Sequence, residues 1–557
     1  MLEQSVAVIS VAIISVIAFM SRTTLMRLIR RAYQASHLDK TAVQMSDVPI
    51  QREGALQTAV SRRQVLHGLA SMSAVGMGAN FVSQSAQPEP SKQSSDGSFP
   101  QEKVLIVGAG VAGLTAAYRL RQAGVSVDVI EASYRVGGRL VSLTNIPGSE
   151  GTVELGGEFI DSRHTHIRSL AAELGLEMAD LTAADAGLER EILYFQGKCV
   201  SERQVIDDFA PLAHRIDRDL QTLNTRNITY RNPSPHAMQL DRMSLVEYLQ
   251  AEPISPLIDQ LVRVAYITEF GRDAESQSCL NMLFLIGAEV GKWSTYGLSD
   301  ERYHVIGGND QIPKRLAQQV ESAIELGTAL ESIQETPAGR YRVSLRRDRT
   351  SLERTYERVL LTVPFSVLRQ VNLDVEMSPI KRQAIEQLGY GTSSKLAVPY
   401  RERIWRTQYG CTISIYTDLD FQNTWESARY LPGPGGWVTD LRGGKQGVRL
   451  GQGNPNTHAT SLTHDLEQIF PGIEQVSRGT ALRAIWSAEP YALGSYSCYL
   501  PGQWTKFGGV EVERVGNIWF AGEHCSLGSQ GYMNGACETA EQAAQEILAE
   551  LRDFVSK

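Results

Sequence analysis

Gly108, Gly110 and Gly113, spaced G-x-G-x-x-G, have the types and spacing to hold a pyrophosphate. Gly108 permits a tight turn, Gly110 lets backbone approach the phosphates, and Gly113 lets a helix pack closely on a strand. Glu131 follows eighteen residues after Gly113, where an acid accepts hydrogen bonds from ribose hydroxyls. Arg135-Val136-Gly137-Gly138-Arg139 comes directly after that acid. Two adjacent glycines between arginines make a close-approach turn with anion-binding side chains. These residues together predict binding of a dinucleotide.

The elements around them have the order such a site requires. Lys103–Val107 is a short continuous apolar run, suited to a strand buried on both faces. An amphipathic helix follows the glycines, with Leu114, Ala117, Tyr118 and Leu120 apolar, and Gly124 ends it. Ser126–Ile130 reads as the next strand. Strand, helix, strand and acid are therefore in register for a βαβ nucleotide unit.

The whole chain reads as a globular protein. Its 557 residues leave room for two to four domains, at roughly 100–200 residues each. With 42% hydrophobic and 21% charged residues, it is not wholly disordered, collagen-like or all-membrane. A net charge of −8 argues against a nucleic-acid partner. Six cysteines are too few for a disulfide scaffold, and no metal site is expected from the histidines. Glu191–Gly197 (EILYFQG) resembles a viral-protease recognition site but reads as a native strand.

The first hundred residues differ from the rest. They carry 9 basic and 6 acidic residues, a net of +3 against −11 for the remainder. Val6–Met20 is a 15-residue apolar run followed by Arg22, Arg27, Arg30 and Arg31. A spanning helix needs about 20 apolar residues, so the run is short, but it suggests membrane association. Ser61-Arg62-Arg63-Gln64-Val65-Leu66 precedes a small-residue apolar stretch and resembles a twin-arginine export signal. A start at Met45 would give it a leader of conventional length. The expectation is an exported protein, periplasmic or membrane-associated on the periplasmic face.

The RxGGR turn after the ribose acid resembles the glutathione-reductase-type FAD fold and, within it, the flavin amine oxidase family of monoamine oxidase and L-amino-acid oxidase type, in a bacterial version. The likeness continues in pieces over most of residues 102–557. Val153-Glu154-Leu155-Gly156-Gly157 resembles the segment that passes under the flavin ring. Tyr303–Asp310 looks like a turn opening a helix of the FAD domain, and Arg358–Pro364 like its return strand. Leu330-Glu331-Ser332-Ile333 is similar to the strand whose backbone holds adenine. Asn517–Glu523, then Gly531-Tyr532-Met533-Asn534-Gly535-Ala536, resemble the strand, loop and helix that close the FAD site. That places Gly522 and Glu523 at the ribityl chain and the turn at Met533 at the flavin pyrimidine.

The same resemblance assigns a catalytic set. Lys395 matches the lysine that holds a water near the flavin. Tyr496 and Tyr532 match paired aromatics that sandwich a substrate amine, and Trp486 a flavin-packing tryptophan. Ser495 stands where covalent monoamine oxidases carry cysteine, so noncovalent FAD is expected. The segment Leu155–Asp161 lacks the arginine that reads a carboxylate in venom-type L-amino-acid oxidases, and Arg163 is close but shifted. Asp161 occupies the place of an acid in plant-type polyamine oxidases, so Asp161 or Glu158 is expected to meet a cationic substrate end.

The resulting expectation is an α/β protein. It has a discontinuous Rossmann-like FAD-binding domain (101–165, 298–372 and 483–557) and an α+β substrate-binding domain (166–297 and 373–482), after a leader over 1–100. The reaction implied is oxidative deamination of an L-amino acid, with a basic one in view, to oxo acid, ammonia and hydrogen peroxide. A mono- or polyamine oxidase is the alternative. A desaturase or porphyrinogen oxidase, and a silent flavin-binding protein, are weaker readings. Expected partners are a small amino acid or amine, O2 or a quinone-type acceptor, and a second copy of the chain as a homodimer.

Overall fold

The computed structural model of the protein describes residues 103–144, 146, 151–223, 228–285 and 299–555. The apolar run at 6–20, the arginine pair at 62–63 and the linker to residue 100 lie outside them. Among the described residues no helix is long and apolar enough to cross a membrane.

The predicted βαβ unit forms the centre of a five-stranded parallel sheet. Its strand order is Ile518–Phe520, Arg358–Leu361, Val104–Val107, Val127–Ile130, Ile324–Glu325. Val104–Val107 is buried at every position, as expected for a strand covered on both faces. Helix Val111–Gln122 leaves its carboxyl end and packs under helix Met533–Val555. Arg119 joins the two by donating to Glu541 at 2.8 Å. The side chains of Val104, Ile106, Leu114, Trp519 and Ile547 belong to the core these elements share. A meander of Thr328–Glu335, Tyr341–Arg347 and Thr350–Tyr356 is antiparallel and lies beside this sheet in sequence and space.

The second large sheet has seven strands and is antiparallel apart from one pairing. Its order runs Leu482–Ile485, Ser394–Tyr400, Gly436–Arg442, Asn423–Ser427, Ile415–Thr417, Ile192–Phe195, Lys198–Cys199. The protease-like stretch thus contains the paired strand Ile192–Phe195. Some of the expected domain limits fall inside elements. Leu482–Ile485 pairs with Ser394–Tyr400, so the limit set at 483 falls inside a strand of this sheet. The limit at 166 falls inside helix Thr165–Glu173, which is held to the C-terminal helix by His166 and Asn534.

Candidate active site

The phosphate loop is shaped by what glycine lacks. Gly108 has φ +106°, and a Cβ there would meet Thr362 Oγ1 at 2.8 Å. A Cβ on Gly113 would lie 1.9 Å from the Gly108 carbonyl oxygen, so helix and loop close only around glycine. Gly110 bridges to Gly137, and a Cβ on Gly138 would reach Gly110 Cα at 3.3 Å. The two glycine turns therefore touch and leave bare backbone facing the cavity. Helix Val111–Gln122 has neither a side-chain cap nor an acid in its first turn, so its leading N–H groups and dipole are available to an anion.

Glu131 is fixed beside that loop. Its carboxylate accepts from the Ala109 N–H at 2.8 Å, the Ser133 N–H at 2.9 Å and the Ser133 hydroxyl at 2.8 Å. Arg139 donates to Glu523 at 2.9 Å and to the Ser495 carbonyl at 2.8 Å. Ser497 adds its hydroxyl to Glu523 at 2.7 Å. Burial alone would raise the Glu523 carboxyl, but the Arg139 guanidinium and the Ser497 hydroxyl together hold it below its usual range. Burial drives the neighbouring His524 down to about 4, so its ring is neutral at pH 7.

One cavity of about 590 Å3 runs from these turns to the far sheet. Every residue nominated from sequence lines it except Gly113 and Arg163. Gly113 acts behind the loop, by packing. Arg163 is half-buried but forms no part of the wall, so the carboxylate anchor expected there is not in place. Arg135 and Leu330 border the cavity with Glu131, and Met533 presses its thioether on the bare face of Gly157. The two Cβ-free turns of this cavity and its anchored acid fit FAD. All six cysteines lie off its wall, and the Ser495 hydroxyl faces Ser393 at 3.2 Å, which leaves no thiol to tether the flavin.

At the other end stands Lys395, on a strand buried at every position. It donates to the Glu154 carbonyl at 3.1 Å, the Gly156 carbonyl at 2.8 Å and Glu158 at 2.8 Å. An ammonium has three hydrogens, and all three have acceptors within the protein. The water expected on Lys395 has no donor left to bind in this arrangement; the lysine clamps the Glu154–Glu158 segment instead. Glu158, expected to read a substrate cation, is the counterion of Lys395 and also accepts from Ser427 at 3.2 Å. Asp161 is committed too. Its carboxylate accepts from the Ser299 hydroxyl and the Glu301 N–H, each at 2.9 Å.

Tyr496 and Tyr532 both face the cavity. The Tyr496 hydroxyl lies 3.1 Å from the Ser393 hydroxyl, and Tyr532 donates to Glu269 at 3.3 Å. His164 packs on the Tyr532 ring with centroids 5.0 Å apart. Trp486 donates to the Leu155 carbonyl at 2.9 Å, which pins the indole to the segment that Lys395 clamps.

Sequence reasoning missed part of the wall. Trp425 and Phe159 pack at 5.4 Å, Lys395 Nζ lies 5.2 Å from the Trp425 ring, and Arg429 lies 5.4 Å from the Phe159 ring. Strand Asn423–Ser427 is buried on both faces, so no alternation marks Trp425 as facing a site. Arg429 follows Ala428, whose φ of +52° breaks the strand without a glycine to announce the turn.

Fold and site define the class: a flavin-dependent oxidoreductase with an aromatic, partly charged substrate end. The chain belongs to the flavin containing amine oxidoreductase family, whose profile matches residues 111–548. It is 24% identical over 468 residues to the flavin-containing amine oxidase A of Bos taurus, covering 82% of this chain and 86% of that protein. It is 27% identical over 461 residues to the B form from the same species, covering 80% and 86%. Among solved structures it resembles cyclohexylamine oxidase from Brevibacterium oxydans IH-35A, with TM-score 0.69 and 22% identity, over 81% of this chain and all (100%) of that one. Putrescine oxidase bound to putrescine superposes with TM-score 0.68 and 22% identity, over 81% and 99%.

Proposed function

We propose that the protein catalyses FAD-dependent oxidative deamination of a small amine, giving a carbonyl compound, ammonia and, with O2 as acceptor, hydrogen peroxide. The observation that carries this reading is that Tyr496 and Tyr532 open on the same cavity as the glycine turns and Lys395. Bound FAD supplies the two-electron acceptor for the amine carbon–hydrogen bond. The chain supplies position and dryness. The two tyrosine rings flank the amine and present their π faces to its nitrogen. Phe159, Trp425 and Trp486 exclude water from the reacting carbon. Lys395 and Glu158 hold the backbone on which the flavin would rest.

An amine fits better than the L-α-amino acid expected from sequence. The arginine nominated from sequence for an α-carboxylate, Arg163, is absent from the wall. Relatives whose names identify amine substrates support the same choice. The test is product analysis: aldehyde or ketone, ammonia and hydrogen peroxide formed in equal amounts from a primary amine. Formation of oxo acids from α-amino acids, with simple amines inert, would reject the amine reading.

A further inference from the structure

The far end of the cavity holds a positive charge that the reaction chemistry does not use. Three largely buried guanidiniums, Arg403, Arg406 and Arg429, share two carboxylates. Asp185 pairs with Arg406 at 2.7 Å and with Arg429 at 2.8 Å. Glu426 pairs with Arg403 at 3.0 Å and with Arg406. Among the described residues this network has three cations against two anions. Arg403 and Arg406 spend further hydrogens on the carbonyls of Gly435, Leu431 and Ala184. Arg429 makes a single hydrogen bond, to Asp185, and its Nε is buried with no acceptor. It is the only member of the trio on the cavity wall, and its side chain is 12% exposed.

A buried arginine with unspent donors and an excess positive charge is stabilised by an anion that presents two oxygens in its plane. Its location sets which end of a substrate it meets. The contacts run from Lys395 to Trp425, on to Phe159, and then to Arg429. Two aromatic rings therefore separate the lysine from the guanidinium. Contact by contact Arg429 lies two rings beyond Lys395, which suits it poorly to an α-carboxylate bonded to the reacting carbon. It suits a carboxylate several carbons away better.

We propose that Arg429, oriented by Asp185, binds a carboxylate at the end of the substrate remote from the reacting amine. The preferred substrates are then ω-amino carboxylates: an unbranched aliphatic chain lying against Trp425 and Phe159, an amine at the tyrosines and a carboxylate on Arg429. The proposal rests on the amine oxidase reading but concerns a different end of the site.

The test separates binding from turnover. The purified flavoprotein is titrated with pentanoate and, as an uncharged control, pentanol, reading perturbation of the flavin visible spectrum. Pentanoate is expected to bind and pentanol to bind more weakly. In Arg429→Met the pentanoate Kd rises about tenfold or more, the loss expected for a charged hydrogen-bonded pair. Arg429→Lys keeps the charge and the Asp185 partner, so it guards against a folding defect and recovers part of the affinity. Anaerobic reduction by 5-aminopentanoate, pentylamine and cadaverine then gives the preference. The expected order places the carboxylate first, and Arg429→Met lowers the ratio of 5-aminopentanoate to pentylamine. Pentanoate binding that is absent, or equal in wild type and Arg429→Met, overturns the proposal, as does a preference for cadaverine. Arg429-dependent binding of pentanoate with no reduction by any amine would leave the anion site standing and reject the amine oxidase reading.

Discussion

Arg139 and Glu523 meet at 2.9 Å although 384 positions separate them in the chain. Arg139 closes the glycine turn that follows the ribose acid, and Glu523 opens the turn just after the last strand of the parallel sheet. Their pairing fastens the first and last pieces of the nucleotide site. Because Arg139 also donates to the Ser495 carbonyl, it links the same point to the residue preceding Tyr496. Cofactor site and substrate site share this one guanidinium.

Glu523→Gln should loosen the cofactor. The change leaves Arg139 without its counterion, at a cost on the order of 2 kcal/mol for a charged hydrogen bond. The expected result is a lower flavin-to-protein absorbance ratio after gel filtration. An unchanged ratio would mean that the pair is incidental to FAD retention.

Two glycine substitutions should fail in different ways. Gly110→Val puts a side chain into the cavity between the glycine turns, so FAD retention is lost while the apoprotein melts as wild type does. Gly113→Ala puts a Cβ 1.9 Å from the Gly108 carbonyl oxygen. Overpacking of that kind costs about 1–3 kcal/mol or more, so this variant should melt at lower temperature. Paired measurements of flavin content and melting distinguish the two.

Lys395→Met strands Glu158, whose side chain is 5% exposed. Breaking a buried pair by removing one partner costs about 3–5 kcal/mol. The double variant Lys395→Met/Glu158→Gln should recover much of that loss, since no uncompensated charge remains. Denaturant unfolding of the four proteins reads the coupling directly; strictly additive losses would show that the two groups do not stabilise one another.

His524 gives the stability a pH dependence with a definite sign. Burial holds its folded pKa at about 4, below the 6.5 of an unperturbed imidazole. Between those values the unfolded chain binds the extra proton. Its contribution is therefore complete above about pH 6.5 and is lost as pH falls towards 4. Glu511 opposes it, because burial raises that carboxyl to about 7 and favours the folded state at the acid side. Melting of wild type against His524→Gln from pH 7 to pH 5 isolates the histidine. The variant should lose less stability than wild type over that interval.

Much of the cofactor half was legible in the sequence, because its constraints are local. Gly108, Gly110 and Glu131 sit in one βαβ unit, and turn geometry fixes their roles from spacing alone. The C-terminal Glu523 and Met533 were found only through resemblance, since their partners lie hundreds of residues upstream. The substrate half was less legible. Glu158 and Asp161 carry the right charge to greet a cation, but each is engaged inside the protein, and only packing reveals that. Arg429 was not foreseen, because a buried, two-sided strand shows no periodicity and its closing turn uses Ala428 rather than glycine.

The cage itself yields to one comparison. Tyr532→Phe keeps the ring and loses the hydroxyl with its bond to Glu269, so its turnover should stay near wild type. Tyr532→Ala removes one wall, and its kcat/KM should fall about tenfold or more, the loss of one aromatic contact and its exclusion of water. Equal effects of the two changes would assign the role to the hydroxyl instead.

The most direct measurement is anaerobic mixing of the flavoprotein with a panel of primary amines and L-α-amino acids, following the flavin visible band. The account predicts rapid loss of the band with amines, slower loss in Tyr532→Ala, and little change with α-amino acids. Persistence of the band with every amine, or its loss with α-amino acids alone, would contradict it.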